Sequence, residues 1–147
     1  MDELLSKALE SLARYLAMRD HSETELRTKM RRRFDLDVIE KALQFARDRD
    51  WLTPPEKMAQ KATEELGRRK KSHRYIQNSL RKRGLPATRA DSNDELEKIR
   101  QLLRSKFVEL AELSYEEKAK AYRFLRYRGF EDSLIRKVLN EKHNETI

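Results

Sequence analysis

The sequence predicts an all-α fold, and three observations indicate it. Charged residues make up 41% of the 147 residues, against about 25% in an average soluble domain, which suits helices with narrow apolar stripes and wide solvated faces. Glycine and proline number only three each, so the chain has little material for tight hairpins. Helix start and stop signals recur along the whole chain, and β-branched runs are scarce.

Three segments carry the signature of a helix N-terminus. Ser22 with Glu25, and Ser114 with Glu117, form S-x-x-E capping boxes, in which the serine oxygen accepts from a backbone amide and the glutamate reaches back. Thr53 is followed by two prolines and a glutamate, which predicts a cap residue with proline at the first helical position. These signals place three helix starts.

Gly84 and Gly129 stand where a left-handed residue would end a helix. Apolar periodicity between these marks predicts the remaining elements, and a very short helical turn is expected after Pro86. The predicted helices span residues 2–19, 22–33, 37–50, 54–69, 72–83, 94–108, 115–128 and 131–141.

The chain is also internally repetitive. The run Arg81-Lys82-Arg83-Gly84-Leu85 matches Arg126-Tyr127-Arg128-Gly129-Phe130 at an offset of 45, and Arg31-Arg32-Arg33-Phe34 follows a similar apolar pair. Two helices alone cannot bury both of their faces, so tandem three-helix repeats are the expected solution. The predicted repeats are residues 1–53, residues 54–93 (basic, with a short third helix) and residues 94–147.

The positive charge is concentrated in the middle of the chain. Residues 1–53 and 91–147 are each neutral, whereas residues 54–90 carry 11 basic and 3 acidic residues and so hold the whole net charge of +8. The positive side chains of such a segment repel one another unless they contact a polyanion. This favours binding to nucleic acid or to an acidic protein surface. Because helices also end in basic clusters outside this segment, the candidate binding residues are Arg31, Arg32, Arg33, Arg68, Arg69, Lys70, Lys71, Arg74, Arg81, Lys82, Arg83, Arg126 and Arg128.

No catalytic site, metal site or cofactor is expected. The chain has no cysteine, its three histidines (His21, His73 and His143) are not at ligand spacing, and it contains no phosphate-binding glycine loop. No apolar run approaches the roughly 20 residues that a membrane helix needs, and the N-terminus lacks a signal-peptide pattern. We therefore expect a cytoplasmic monomer that acts by binding and has no membrane partner.

The aromatic residues allow different uses. Trp51 ends an amphipathic helix and is expected in the core. Tyr75, Tyr122 and Tyr127 lie among arginines and lysines, where their rings would either stack on exposed bases or cover neighbouring arginine stems. The sequence does not decide between these two uses.

Three segments carry motifs that point to one known family. They are AMRDHSETELR at residues 17–27, I-x-x-x-L-x-x-x-G at residues 76–84, and a segment at residues 117–130 that ends in R-F-L-x-x-R-G-F. These motifs resemble the opening, central and C-terminal elements of the RecX family of recombination regulators. The likeness spans nearly the whole chain in the expected order. It departs where no glycine separates Arg33 from Phe34, so the first bend must be made differently, and where Leu52-Thr53-Pro54-Pro55 replaces a Leu-Asp-Asp step.

The resemblance implies both an architecture and a function. It implies tandem three-helix repeats in an elongated, curved module that binds the RecA recombinase, chiefly within the groove of its DNA-bound filament, and limits recombinase activity. Single- and double-stranded DNA are the implied nucleic-acid partners. In this interpretation the central cations contact DNA phosphate or an acidic surface of the recombinase, and the neutral outer repeats contact protein. A helical DNA-binding module without a recombinase partner, and a helical scaffold for an acidic protein, stay open as alternatives.

Overall fold

The computed structural model describes residues 2–107 and 112–141, and within those ranges it contains helices and no strand. All eight predicted helices are present, and their ends lie within about three residues of the expected positions. The helices are α1 (Glu3–Met18), α2 (Glu23–Met30), α3 (Leu36–Asp48), α4 (Pro55–Arg68), α5 (His73–Lys82), α6 (Ser92–Lys106), α7 (Tyr115–Tyr127) and α8 (Asp132–Leu139). None of the described helices is long and apolar enough to cross a lipid bilayer.

Both predicted capping boxes form. The Ser22 hydroxyl accepts from the backbone N–H of Glu25 at the start of α2, and the Ser114 hydroxyl accepts from that of Glu117 at the start of α7. The prediction that Thr53 caps α4 is wrong. The helix begins at Pro55, the Pro54 carbonyl accepts its first hydrogen bond, and the Thr53 hydroxyl donates instead to Asp20 at 3.1 Å.

The two predicted glycine stops are confirmed, with φ of +69° at Gly84 and +94° at Gly129. At each, paired backbone hydrogen bonds close a Schellman motif, such as Leu85 N–H to Leu80 carbonyl at 2.8 Å. Asp50 and Lys70 end α3 and α4 in the same way with positive φ but no glycine, and no pattern in the sequence predicted these two turns.

The short helix expected after Pro86 is absent, so residues 54–93 contain two helices rather than three. Thr88 explains the extended path of this segment. Its backbone N–H donates to Gln77 at 3.0 Å, and its hydroxyl lies 2.8 Å from both the Gln77 amide nitrogen and the Thr63 hydroxyl. The Thr88 backbone N–H thus has a side-chain partner and needs no carbonyl of a helical turn.

The chain divides into two compact units. One comprises Met1–Lys61 with Leu80–Ala87, and the other comprises Ala62–Ser79 with Thr88–Ile147. Two of the three boundaries fall inside helices α4 and α5, and the third falls between Ala87 and Thr88. In the first unit, α1, α2 and α3 enclose a core whose most deeply buried large side chains are Leu12, Leu26, Met30, Ile39 and Leu43. In the second, α6, α7 and α8 enclose Ile99, Leu103, Leu125, Phe130 and Ile135.

A buried histidine stabilises the first unit in its neutral form. His21 is 1% exposed, its Nδ1 lies 3.0 Å from the Arg19 carbonyl, and its Nε2 lies 2.8 Å from the Lys29 ammonium. Burial lowers the pKa of His21, the cationic Arg19 and Lys29 lower it further, and these effects outweigh the hydrogen bond to the Arg19 carbonyl and the attraction of Glu25, which raise it.

Acidification should therefore weaken this unit. The unfolded chain takes up a proton on His21 near pH 6.5, and the folded chain does so only at lower pH. The contribution of neutral His21 to the free energy of unfolding is therefore complete above pH 6.5 and is lost as the pH falls below it. We expect the free energy of unfolding, from urea titrations followed by circular dichroism, to fall more between pH 7.5 and 5.5 in the wild type than in His21→Asn. That variant keeps a donor for the Arg19 carbonyl but does not titrate. Equal pH dependence of the two proteins would contradict this role.

Candidate nucleic-acid interface

A groove in the second unit gathers cations from three segments of the chain. It has a volume of about 880 Å³. Its basic lining comes from the turn after α4, the last residue of α6 and the C-terminal half of α7 with the residue that follows it. These residues are Lys70, Lys71, Lys106, Arg123 and Arg128. No acidic residue of the described part of the chain lines the groove.

These five cations have no carboxylate partner among the described residues, although the chain forms ion pairs elsewhere, such as Arg100 with Glu141 at 2.5 Å. Cations left unpaired on one surface repel one another. A polyanion removes that repulsion and releases its own condensed counterions on binding. The groove therefore has the electrostatics of a phosphate-binding surface.

Aromatic rings lie among the cations. Phe124 is covered by two of them, with the Lys106 ammonium 3.9 Å and the Arg128 guanidinium 4.8 Å from its ring centre. The Lys71 ammonium lies 4.8 Å from the ring centre of Tyr75. Tyr127 is 94% exposed, and Tyr75 is 47% exposed. The groove therefore combines cations with accessible aromatic surface, the pairing found in many single-strand-binding proteins.

One hydrogen bond and one glycine bring the two sides of the groove together. The Ser72 hydroxyl caps α5 by accepting from the Tyr75 backbone N–H at 3.1 Å, and it donates to the Arg128 carbonyl at 2.9 Å. A Cβ added at Gly129 would lie 3.0 Å from this hydroxyl, so glycine permits the close approach. The repeated Arg-x-Arg-Gly motif thus places its backbone, rather than its guanidinium groups, at this joint.

The first unit contains an equivalent joint. The Ser22 hydroxyl, which caps α2, donates to the Arg83 carbonyl, and the missing side chain of Gly84 leaves space for Thr24. The sequence predicted the Ser22 cap and the two glycine turns separately. Only the fold shows that Ser22 and Ser72 each bond the residue before a glycine far away along the chain.

The other predicted binding residues lie outside the groove lining. Arg68, Arg69 and Arg74 are exposed and flank the lining residues Lys70 and Lys71 in the sequence. Arg81 and Lys82 are exposed in the last turn of α5. Arg31, Arg32 and Arg33 are exposed in the turn after α2. This turn needs no glycine, because the backbone N–H groups of Arg33 and Phe34 both donate to the Met30 carbonyl, as in a helix. The guanidinium groups of Arg83 and Arg126 are engaged within the protein: Arg83 bonds Glu25, and Arg126 donates to the Phe130 carbonyl at 3.0 Å.

Sequence reasoning missed two lining residues, Lys106 and Arg123. Both belong to residues 91–147, whose basic and acidic residues are equal in number. A comparison of the net charges of segments therefore could not identify them. A helical projection of α7 could have found Arg123, because it lies one turn from Tyr127 and on the same face. No comparable signal was available for Lys106.

Two aromatic expectations are also resolved. Tyr122 covers an arginine, because its ring centre lies 5.2 Å from the Arg136 guanidinium and its hydroxyl donates to Asp132. That hydrogen bond, with one from Arg136, lowers the pKa of Asp132. The prediction that Trp51 is a core residue is wrong: it is 41% exposed, and its ring lies T-shaped to that of Phe45 with the ring centres 5.7 Å apart.

These features define an all-helical protein in which α1–α3 and α6–α8 each enclose a core, with a basic and aromatic groove. Comparison with known proteins specifies the class further. The family model for the RecX first three-helix domain matches residues 8–45, and that for the RecX third three-helix domain matches residues 93–139.

The chain belongs to the RecX family of regulatory proteins. It is 32% identical to the regulatory protein RecX of Chlorobaculum tepidum, with 91% of this chain and 87% of that protein aligned. It is 25% identical to RecX of Yersinia enterocolitica over 96% of this chain and 98% of that protein. The crystal structure of RecX from Lactobacillus salivarius has the same fold, with a TM-score of 0.81, 19% identity and coverage of 97% of this chain and 98% of that one.

Proposed function

We propose that this protein regulates the RecA recombinase by binding its DNA-bound filament and limiting recombinase activity during recombination and DNA repair. It acts in the cytoplasm by binding, without catalysing a reaction. Membership of a family of regulatory proteins supports the class of function. The observation that carries the nucleic-acid part is the groove, where five cations without carboxylate partners meet in one surface of the described chain.

The groove predicts how the affinity for DNA depends on salt. Five phosphate contacts to a single strand give a slope of log K against log salt of about −3.5, which lowers affinity about 100-fold between 50 and 200 mM salt. The exposed cations outside the groove would steepen this slope wherever they also contact phosphate. They are Arg31, Arg32, Arg33, Arg68, Arg69, Arg74, Arg81 and Lys82.

The decisive measurement is the DNA-dependent ATPase of the host's recombinase on single-stranded DNA, titrated with this protein. We expect activity to fall when far less than one molecule is present per recombinase. Replacing Lys70, Lys71, Arg123 and Arg128 with alanine should weaken this inhibition at least about ten-fold, because the variant has lost four of the groove's five cations.

A matched variant controls for net charge. Arg14, Lys41, Lys57 and Lys137 are exposed cations that do not line the groove, and replacing all four with alanine should leave inhibition nearly unchanged. Equal weakening by both variants would show that the total charge of the protein matters and that the groove has no special role. Circular dichroism of each variant checks that helicity is retained.

The alternative is a helical DNA-binding module without a recombinase partner, which the same groove favours on charge alone. In that case ATPase activity would fall only when the DNA is saturated, and an unrelated basic protein of equal DNA affinity would inhibit equally. Inhibition well below saturation by this protein alone separates the two functions.

A further inference from the structure

The groove contains an aromatic ring that nothing in the described protein covers. Tyr127, the last residue of α7, is 94% exposed, whereas two other aromatic rings in the C-terminal half of that helix are engaged. Tyr122 bonds Asp132, and Phe124 lies beside the Lys106 and Arg128 cations. No cation of the described residues lies over the Tyr127 ring. An exposed ring beside cations that lack carboxylate partners is the combination that many single-strand-binding proteins use.

The chemistry of the lining selects one class of ligand. Phosphate alone would be held by the lysines, the arginines and the tyrosine hydroxyls, and it would gain nothing from the faces of the tyrosine rings. A nucleic-acid strand with unpaired bases satisfies both components, because its phosphates meet the cations and its bases stack on aromatic faces. In a duplex the base faces are already stacked on one another, so the rings would be left unused.

We propose that the groove is a base-stacking site for single-stranded nucleic acid, in which an unpaired base stacks on Tyr127 while Lys70, Lys71 and Arg123 contact the adjoining phosphates. The half-exposed ring of Tyr75 offers a second stacking surface. This proposal rests on the proposed function only in assigning the groove to nucleic acid, and it is tested without any recombinase.

The test compares two oligonucleotides of equal length and charge, a labelled (dT)20 and a 20-residue abasic strand, by fluorescence anisotropy. We expect the wild type to bind (dT)20 more tightly than the abasic strand. Tyr127→Ala should lower affinity for (dT)20 on the order of ten-fold and leave the abasic strand unaffected, since base stacking on one ring is the only interaction removed. Tyr127→Phe keeps the ring and should bind (dT)20 as the wild type does.

Replacing Lys70, Lys71 and Arg123 with alanine should instead weaken binding of both strands alike, because it removes phosphate contacts. A 20-base-pair duplex should bind wild type and Tyr127→Ala equally. Equal affinity of the wild type for (dT)20 and the abasic strand, or an equal loss on both strands in Tyr127→Ala, would overturn the proposal. Either result leaves the recombinase ATPase assay as an independent test of the proposed function.

A direct contact between ring and base can be observed in a Trp51→Phe, Tyr127→Trp variant, whose single indole lies in the groove. We expect (dT)20 to quench its emission and the abasic strand to leave it unchanged. No quenching at saturating (dT)20 would mean that no base reaches this ring.

Discussion

Gly84→Ala should destabilise the protein by about 3 kcal/mol, although it adds only one methyl group. The new Cβ would lie 2.1 Å from Oγ1 and 2.5 Å from Cβ of Thr24. The hydroxyl could rotate away, but the Thr24 Cβ is fixed to helix α2 and must move with its backbone. The left-handed φ of +69° adds about 1–2 kcal/mol for any residue with a side chain. Urea unfolding followed by circular dichroism would measure the loss.

Gly67→Ala is the matched control for this prediction. Gly67 lies within α4, its φ is not left-handed, and the nearest atom to an added Cβ is the Lys98 Cε at 3.9 Å. Alanine is the better helix former, so this variant should be as stable as the wild type or about 0.5–1 kcal/mol more stable. In a Thr24→Gly background, Gly84→Ala should cost less, because only the backbone strain then remains. An unchanged cost there would show that Thr24 does not cause the clash.

Glu25→Gln should also have a large effect, because this carboxylate holds three donors at the first joint. Arg19 donates to it at 2.7 Å, and both Arg83 and the Ser22 backbone N–H donate at 3.0 Å. Its side chain is 14% exposed. Burial by itself raises the pKa of Glu25, but the hydrogen bonds from Arg19, Ser22 and Arg83 outweigh it and lower the pKa from 4.5 to about 2.

The lowered pKa gives the sign of the pH dependence. The unfolded chain binds a proton near pH 4.5 and the folded chain only near pH 2, so the stabilisation is complete above pH 4.5 and is lost as the pH falls between these values. A shift of this size corresponds to about 3 kcal/mol as an upper figure. Glu25→Gln should therefore lose about 2 kcal/mol at pH 7 and show a smaller decline in stability between pH 5 and 2.5 than the wild type.

Glu10→Gln serves as the comparison for Glu25→Gln, since Glu10 is exposed on α1 and its removal should change stability by less than about 0.5 kcal/mol. If Glu25→Gln retained the full wild-type pH dependence, the acid sensitivity would have to arise from other carboxylates. The Arg27–Glu40 pair, with a distance of 2.6 Å, would then be the next candidate.

Local chemistry allowed much of the fold to be predicted. Capping boxes at Ser22 and Ser114 and the left-handed glycines at positions 84 and 129 act over a few residues, so their patterns are legible in the sequence. The missed features depend on partners elsewhere. Thr53 bonds Asp20 rather than capping α4, Thr88 bonds Gln77 rather than starting a helix, and Trp51 lies at an edge that apolar periodicity could not distinguish from the core.

The candidate site shows the same division. Residue types alone indicated a polyanion as partner, and they identified Lys70, Lys71 and Arg128 as binding candidates along with many other cations. Which of these cations share one surface was decided by packing. The Ser72 hydroxyl bonds the Arg128 carbonyl and brings the start of α5 to the end of α7, so cations from a neutral segment join those of the basic one. Charge is a property of composition and is readable in the sequence, whereas a binding surface depends on distances that only the tertiary contacts determine.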